Sequence, residues 1–333
     1  MKNAIAVIAR LGAAIIAALL FAPLLSGAPP QGLRNRGPRG IPPWPHRQTE
    51  QAAKARENYT FLTIDEDSLG GLVYRINDSR LAVGFYADAE GNGHSFFWWK
   101  GQLTNIRDYP GASITQVSSV NNQGLMFGSF GTVDLQQAGV LHLGTKTWTL
   151  LPDIPGKPIN AGWEMNDHGI AVGNACEYDS STGITGNCVA WTWDGKAYSF
   201  TTFEDYTTNN YWEGTYGIND RGDEVGTLED KNSVSHAYLL SHSGLTVIDV
   251  PGAIFTKGKD INSSGEVLLF GVLGPEEGFR FVNGLWRNGV FTPLPDPPDA
   301  FAAEAFGLND RGDYCGIWWE ANWYGHGFVA LRK

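Results

Sequence analysis

The chain has 333 residues and a formal net charge of −11 at pH 7, with 24 Lys and Arg set against 35 Asp and Glu. That acidic surplus falls in residues 59–333, a segment expected to repel phosphate backbones and anionic lipid, so no nucleic-acid partner is expected. The basic stretch at 29–58 reads as a solubilising tether or, alternatively, as a segment that leans on an anionic surface. The 42 Gly, 17 Pro, 12 Trp, 12 Tyr and 17 Phe suit tight turns with large side chains wedged between short strands, and no segment carries a long helical period.

Residues 1–28 hold Lys2 and Arg10, the apolar run LGAAIIAALLFAPLL, then Ser26, Gly27 and Ala28. A basic start, a short apolar middle and small residues at the end make a secretory signal peptide. The alternative is an uncleaved anchor, but the run is short for a span and is interrupted by Pro23. No membrane span is expected after cleavage. Residues 29–58 are rich in Pro, Arg and Gln, with six Lys or Arg against two Glu, and read as a disordered linker. Residues 59–333 carry 16 Lys or Arg against 33 Asp or Glu and are expected to form the folded domain.

That domain opens on an extended run at 59–65 (YTFLTID) and then repeats itself. An Asn after an apolar residue anchors each copy: Asn77 (INDSRLAVG), Asn121 (VNNQGLMFG), Asn166 (MNDHGIAVG), Asn219 (INDRGDEVG), Asn262 (INSSGEVLLFG) and Asn309 (LNDRGDYCG). The steps between anchors are 44, 45, 53, 43 and 47 residues, a period at which small units stack because none can bury its own apolar face. Each unit reads as four antiparallel strands: one into the Asn turn, one out of it, a third such as Ser235-His236-Ala237-Tyr238-Leu239, and a fourth such as Leu245-Thr246-Val247-Ile248. Four strands per unit at this period is a propeller blade, so the expected fold is an all-β, six-bladed β-propeller. The sixth unit ends after its third strand, and 59–65 matches the missing fourth, so pairing of the N-terminal strand with the last blade closes the ring. A linear solenoid is the other arrangement, but polar capping repeats are missing.

Of the three Cys, Cys176 and Cys188 bracket the loop 177–187 between the second and third strands of the third unit, and in an oxidising space they are expected to form a disulfide. Cys315 occupies a place held elsewhere by Val83, Phe127, Val172, Val225 and Phe270, a core position that suits a buried thiol. The spacing of Cys and His gives no zinc site. Asp88 to Gly93 resembles a calcium loop only faintly and lacks the closing Glu. No phosphate loop or nucleophile elbow is present, so neither cofactor nor metal is expected.

His94, His236 and His326 stand at the start of the third strand in GHSF, SHAY and GHGF. With the Ile-Asn-Asp-x-Gly turns and the TVIDVPG ending at 246–252, these strands resemble the HAF repeat family of extracellular repeat proteins. The resemblance spans about 59–331, although the second, third and fifth units lack the His. It implies export and a propeller-like fold, and it carries over no catalytic residue. Because these His recur, they read as structural, bonding neighbouring strands.

Function is sought where the units differ. Two residues before the anchors stand Arg75, Ser119, Glu164, Gly217, Asp260 and Gly307. Glu164 and Asp260 fit an acid–base pair with Arg75 steadying negative charge, or an ion network that locks the units together. Tyr86, Tyr206, Tyr211, Trp212, Trp318, Trp319, Trp323 and Tyr324 fall in loops that share one face. There they serve either as stacking platforms for sugar rings or as packing beneath the loops. The reading is an exported, monomeric binding module for a glycan or an extracytoplasmic protein, more a binder than an enzyme. A polysaccharide hydrolase or lyase and a structural surface-repeat protein are the alternatives.

Overall fold

The computed structural model describes residues 54–65, 70–132, 134–182, 184–208, 213–277 and 279–333. The signal segment, residues 29–53 of the linker, Tyr211 and Trp212 lie outside the described residues. The fold is all-β, built of antiparallel meanders in chain order.

The first meander is β1 (Tyr59–Ile64), β2 (Leu72–Ile76), β3 (Ala82–Ala87), β4 (Gly93–Trp99) and β5 (Gln102–Asn105), of which β1 pairs elsewhere. Then come β6 (Ile114–Val120), β7 (Met126–Gly131), β8 (Gln136–His142) and β9 (Thr147–Leu150). The third is β10 (Ile159–Met165), β11 (Ala171–Asp179), β12 (Ile184–Trp193) and β13 (Tyr198–Thr201). The fourth is β14 (Tyr206–Thr207), β15 (Gly214–Ile218), β16 (Glu224–Asp230), β17 (Ser235–Ser241) and β18 (Gly244–Ile248). The fifth is β19 (Ala253–Ile261), β20 (Val267–Leu273), β21 (Phe281–Arg287) and β22 (Val290–Pro293). The last is β23 (Ala302–Leu308), β24 (Tyr314–Trp319) and β25 (Gly325–Arg332). The first three meanders count as one sheet only through single parallel pairs, Gly93 with Ile114 and Gln136 with Ile159.

β1 lies antiparallel on β25, Tyr59 opposite Arg332 and Ile64 opposite Gly327, so the last sheet runs β1-β25-β24-β23. Tyr59 and Phe61 then pack edge-on against Tyr314, at 5.1 and 6.2 Å between ring centres. The end of the expected linker is ordered, with a helical turn at 54–56 and Asn58 O accepting from Lys333 N at 2.9 Å. The first described residues and the C-terminal residue meet there.

Each anchor Asn folds its own turn. Asn219 Oδ1 accepts from the N–H groups of Arg221 and Asp223, both at 3.0 Å, and Gly222 takes the left-handed φ of 78° that closes the turn. The first unit has Arg80 at that place, at φ 60°. Its strain is offset by bonds that the Gly units lack: Nε and Nη2 reach Asp313 at 3.0 and 3.1 Å, and Nη2 reaches Arg332 O.

The same Asn side chains tie the units to one another. Asn77 Nδ2 donates to Asn121 O, Asn121 to Asn166 O, Asn166 to Asn219 O, Asn219 to Asn262 O, Asn262 to Asn309 O, and Asn309 back to Asn77 O. This belt of hydrogen bonds returns to its start.

Candidate functional site

The strand that leads into each Asn anchor, β2, β6, β10, β15, β19 or β23, carries a β-bulge three residues before that Asn. The ladder register shifts across Tyr74, Ser118, Trp163, Tyr216, Lys259 and Phe306. A bulge leaves one residue unpaired and turns its backbone out of the ladder. The final Gly of each anchor motif makes room for the strand this bends: a Cβ on Gly226 would lie 1.9 Å from Gly214 O, and one on Gly316 2.0 Å from Glu304 O.

The freed carbonyls converge on Arg75. Its Nη1 donates to Tyr74 O at 3.0 Å and Phe306 O at 2.5 Å, and its Nη2 to Tyr216 O at 2.6 Å and Lys259 O at 3.1 Å. Its Nε faces Glu164 Oε1 at 3.3 Å and Asp260 Oδ2 at 3.5 Å. One guanidinium thus bonds strands of five meanders. Asp260, 1% exposed, accepts from the N–H groups of Ile261 and Leu308, and Glu164 Oε2 accepts from Ile218 N. Burial and then the charge of Asp260 raise the Glu164 carboxyl well above its usual range, against the pull of Arg75. Burial would lower the Arg75 guanidinium, but Asp260 and Glu164 override it and hold it charged.

The three residues are therefore together, as an acid–base pair would require, but their atoms are committed to each other and to the backbone. Glu164 also lines a pit on the Asn side, rimmed by the anchors and by Asp78, Asn122, Asp167, Asp220, Ser263 and Asp310. Most of those rim side chains accept from the backbone of the preceding unit, as Asp78 does from Asp310 N and Asp167 from Asn122 N.

On the opposite side, where second and third strands meet, most of the aromatics expected in loops pack. Tyr86, Trp318, Trp319 and Tyr206 stand in β3, β24 and β14 rather than in loops, because these strands run past the expected turns. Trp319 is 4% exposed and lies in a core cluster with Phe281 and Phe306. Trp323 sits 5.6 Å from Phe301 and 6.1 Å from Trp319. Trp318 stacks on His326 at 4.2 Å, and Tyr86 leans on His94 at 5.2 Å. Tyr324 is 36% exposed, and Tyr206 is half-buried. A sugar platform needs an open ring face; Trp319 offers none and Tyr324 does.

The recurring His bond carboxylates rather than strands. His94 Nε2 lies 3.0 Å from Asp88 and its Nδ1 2.9 Å from Asp108. His236 sits between Asp230 and Asp249, at 3.8 and 2.8 Å, and His326 between Glu320 and Asp65, at 3.2 and 2.6 Å. One acid precedes the third strand and the other follows the fourth, so Asp65 after β1 fills for the last unit the place that Asp249 fills after β18. Burial would lower His94, but the bonds and charges of Asp88 and Asp108 raise it, and Asp88 is in turn held down at about 2 by Asn92 and His94 against its burial.

Cys176 and Cys188 are joined in a disulfide. They lie within β11 and β12 rather than flanking a loop, at the register shift between Ala175 and Glu177, because both strands extend past the expected turn. Cys315 is free and buried, and burial pushes its thiol up. Among the described residues no cluster of His, Cys, Asp and Glu is arranged to hold a metal, and no helix is long and apolar enough to cross a membrane.

The bulge and the pairing of His with acids from separate loops were not anticipated from sequence. The one signal was the appearance of Tyr, Trp, Tyr, Lys and Phe at the place where the second unit has Ser118.

No protein-family model matches the chain, and no curated protein does. Solved structures do resemble it. A gluconolactonase of Xanthomonas campestris matches at 12% identity and a TM-score of 0.51, over 86% of this chain and 94% of that one. The β-propeller domain of a protease from Pyrococcus furiosus matches at 11% identity and 0.46, over 78% and 93%. TolB of Acinetobacter baumannii matches at 11% and 0.46, over 80% and 64%. The chain is thus a strand-rich, all-β protein with β-propeller neighbours; identities this low speak to fold alone.

Proposed function

We propose that the six meanders are the blades of a closed six-bladed propeller of HAF-like repeats. The protein acts outside the cytoplasm as a binding module, with a glycan or another extracytoplasmic protein as its ligand. The disulfide supports an oxidising compartment, and the returning Asn belt supports closure. The observation that carries the choice of binder over enzyme is the commitment of Arg75, Glu164 and Asp260 to ion pairs and backbone bonds. A general acid must reach its substrate proton, and these carboxyls are spent on holding strands together.

The binding surface is the loop side, centred on Tyr324, the one exposed ring among the candidate aromatics that are described. A glycan array with the purified domain, followed by an assay for reducing-sugar release, tests this reading. Binding without release supports it, and release of sugar abolished in Glu164→Gln would install the hydrolase in its place. Tyr324→Ala should weaken glycan binding by about 1–3 kcal/mol at unchanged melting temperature, whereas Trp319→Ala should lower the melting temperature because it empties a core site.

A further inference from the structure

The charges of the domain are divided unevenly between its two sides. Strands that lead into the Asn turns start on the loop side, so connections between second and third strands and those between meanders share that side. Among the described residues the former (87–93, 131–136, 177–187, 229–235, 273–281 and 319–325) hold 10 Asp and Glu against 2 Lys and Arg. The latter (65–71, 106–114, 151–159, 202–214, 249–253 and 294–302) hold 9 against 2. All other described residues together hold 13 against 14. The acidic surplus is therefore a property of the loop side. Glu90, Glu204, Asp205 and Glu276 on that side are exposed and, among the described residues, have no ion-pair partner.

A side this acidic attracts polycations. One lies in the same chain. Residues 29–53, outside the described residues, hold Arg34, Arg36, Arg39 and Arg47 against Glu50. They join the domain at Lys54, just before β1, and β1 starts on the Asn side: Tyr59 stands opposite Arg332, whose N–H donates to Asp313 Oδ1 at 2.7 Å beside the last Asn turn. From there β1 rises about 20 Å to the loop side. At about 3 Å per residue for a Pro-rich chain, about seven residues before Lys54 can cover that height, which puts Arg34, Arg36 and Arg39 within reach of the loop side.

We propose that residues 29–53 fold back within the same molecule and dock on the acidic loop side, with Arg34, Arg36 and Arg39 against its open carboxylates. Any other ligand of that side then has to displace them. A tether of this length presents the segment at roughly millimolar concentration, so contacts too weak to hold a separate peptide suffice. The contacts are between solvated charges and are screened by salt. The docking is independent of the glycan reading, whose failure would leave it intact.

The test uses the exported chain, residues 29–333, carrying Arg36→Lys, which keeps the charge and adds an amine. A carbodiimide then joins amines to carboxylates in contact, and peptide mass mapping locates the links. The pair Lys157–Glu177, at 3.1 Å, is the internal control for coupling. The expected result is a link within one molecule from position 36 to loop-side carboxylates such as Glu90, Glu204 or Glu276, with a yield at least about fivefold lower in about 0.5 M NaCl. Arg34→Ser with Arg39→Ser in the same chain should cut the yield at least about threefold. A yield that neither salt nor these changes lower overturns the proposal. So do links spread equally onto Asn-side carboxylates such as Asp194 and Asp310, or no link from position 36 while Lys157 and Glu177 couple. Links found only in covalent dimers overturn it too, and give the loop side to the segment of a second copy.

Discussion

Glu164 shows how a single side chain can be present for chemistry and be used for cohesion. Its carboxyl is raised by burial and by Asp260, while the unfolded chain titrates near 4.3, so the folded form holds its proton longer. Stability from that retained proton is full below the unfolded value and falls as pH rises toward the folded one. Glu164→Gln supplies a permanently neutral group that still accepts from Ile218 N. Its stability relative to wild type should therefore improve between pH 5 and pH 8 in denaturant titrations. Glu164→Ala should cost about 2–3 kcal/mol by leaving the Ile218 N–H and Arg75 short of a partner. His94 has the other dependence. Its raised value makes its contribution full below about 6.5 and lost above the folded value, while that of Asp88 is lost only as pH falls toward 2. The clamp is strongest from about pH 4 to 6.5, so His94→Gln should lower the melting temperature more at pH 5.5 than at pH 8.5. The effect should be about 0.3–1 kcal/mol, as for a partly exposed pair.

At the scale of elements, the hairpin β11–β12 is the one that a covalent bond fastens. Cys176 and Cys188 are 12 residues apart, and both side chains are buried beside Ile159. Closing so short a loop removes roughly 2–3 kcal/mol of freedom from the unfolded chain. Cys176→Ser with Cys188→Ser should lower the unfolding free energy by that amount while β10 stays paired with β11. Melting of reduced and oxidised protein by circular dichroism measures it, and identical curves would show that the bond adds nothing. The sequence located this pair because the two residues bracket one stretch, 177–187, of a chain with an export signal. It misjudged their setting, since whether a stretch is loop or strand depends on how far its neighbours pair with it.

For the whole molecule, the pairing of β1 with β25 matters most. β1 covers the edge of β25, presents Asp65 to His326, and packs Tyr59 and Phe61 on Tyr314. Removing residues 59–65 should uncover that edge together with these apolar groups, lower the melting temperature and produce aggregates by light scattering. A chain that begins at 70 and carries 54–65 after residue 333 should instead fold and stay monodisperse. A deletion variant as stable and soluble as the parent would rule out β1 as the closing strand.

The sequence by itself determined the units, their turns, the pairing of 59–65 with the last strand and the partner of each bonded cysteine. These are written locally, because an Asn side chain reaches N–H groups two and four residues on, a Gly accepts a left-handed turn, and apolar alternation marks a strand. Arg75, Glu164 and Asp260 could be picked out as departures, but their role could not, since it depends on carbonyls brought from Tyr216, Lys259 and Phe306, up to 231 residues away. The same holds for Trp319 at the end of β24 against Tyr324 in the turn after it, of which one is core and the other surface. Burial and charge state belong to what surrounds a group within a few ångströms, and in a protein assembled from repeats those surroundings come from other units. Only the tertiary structure decided them.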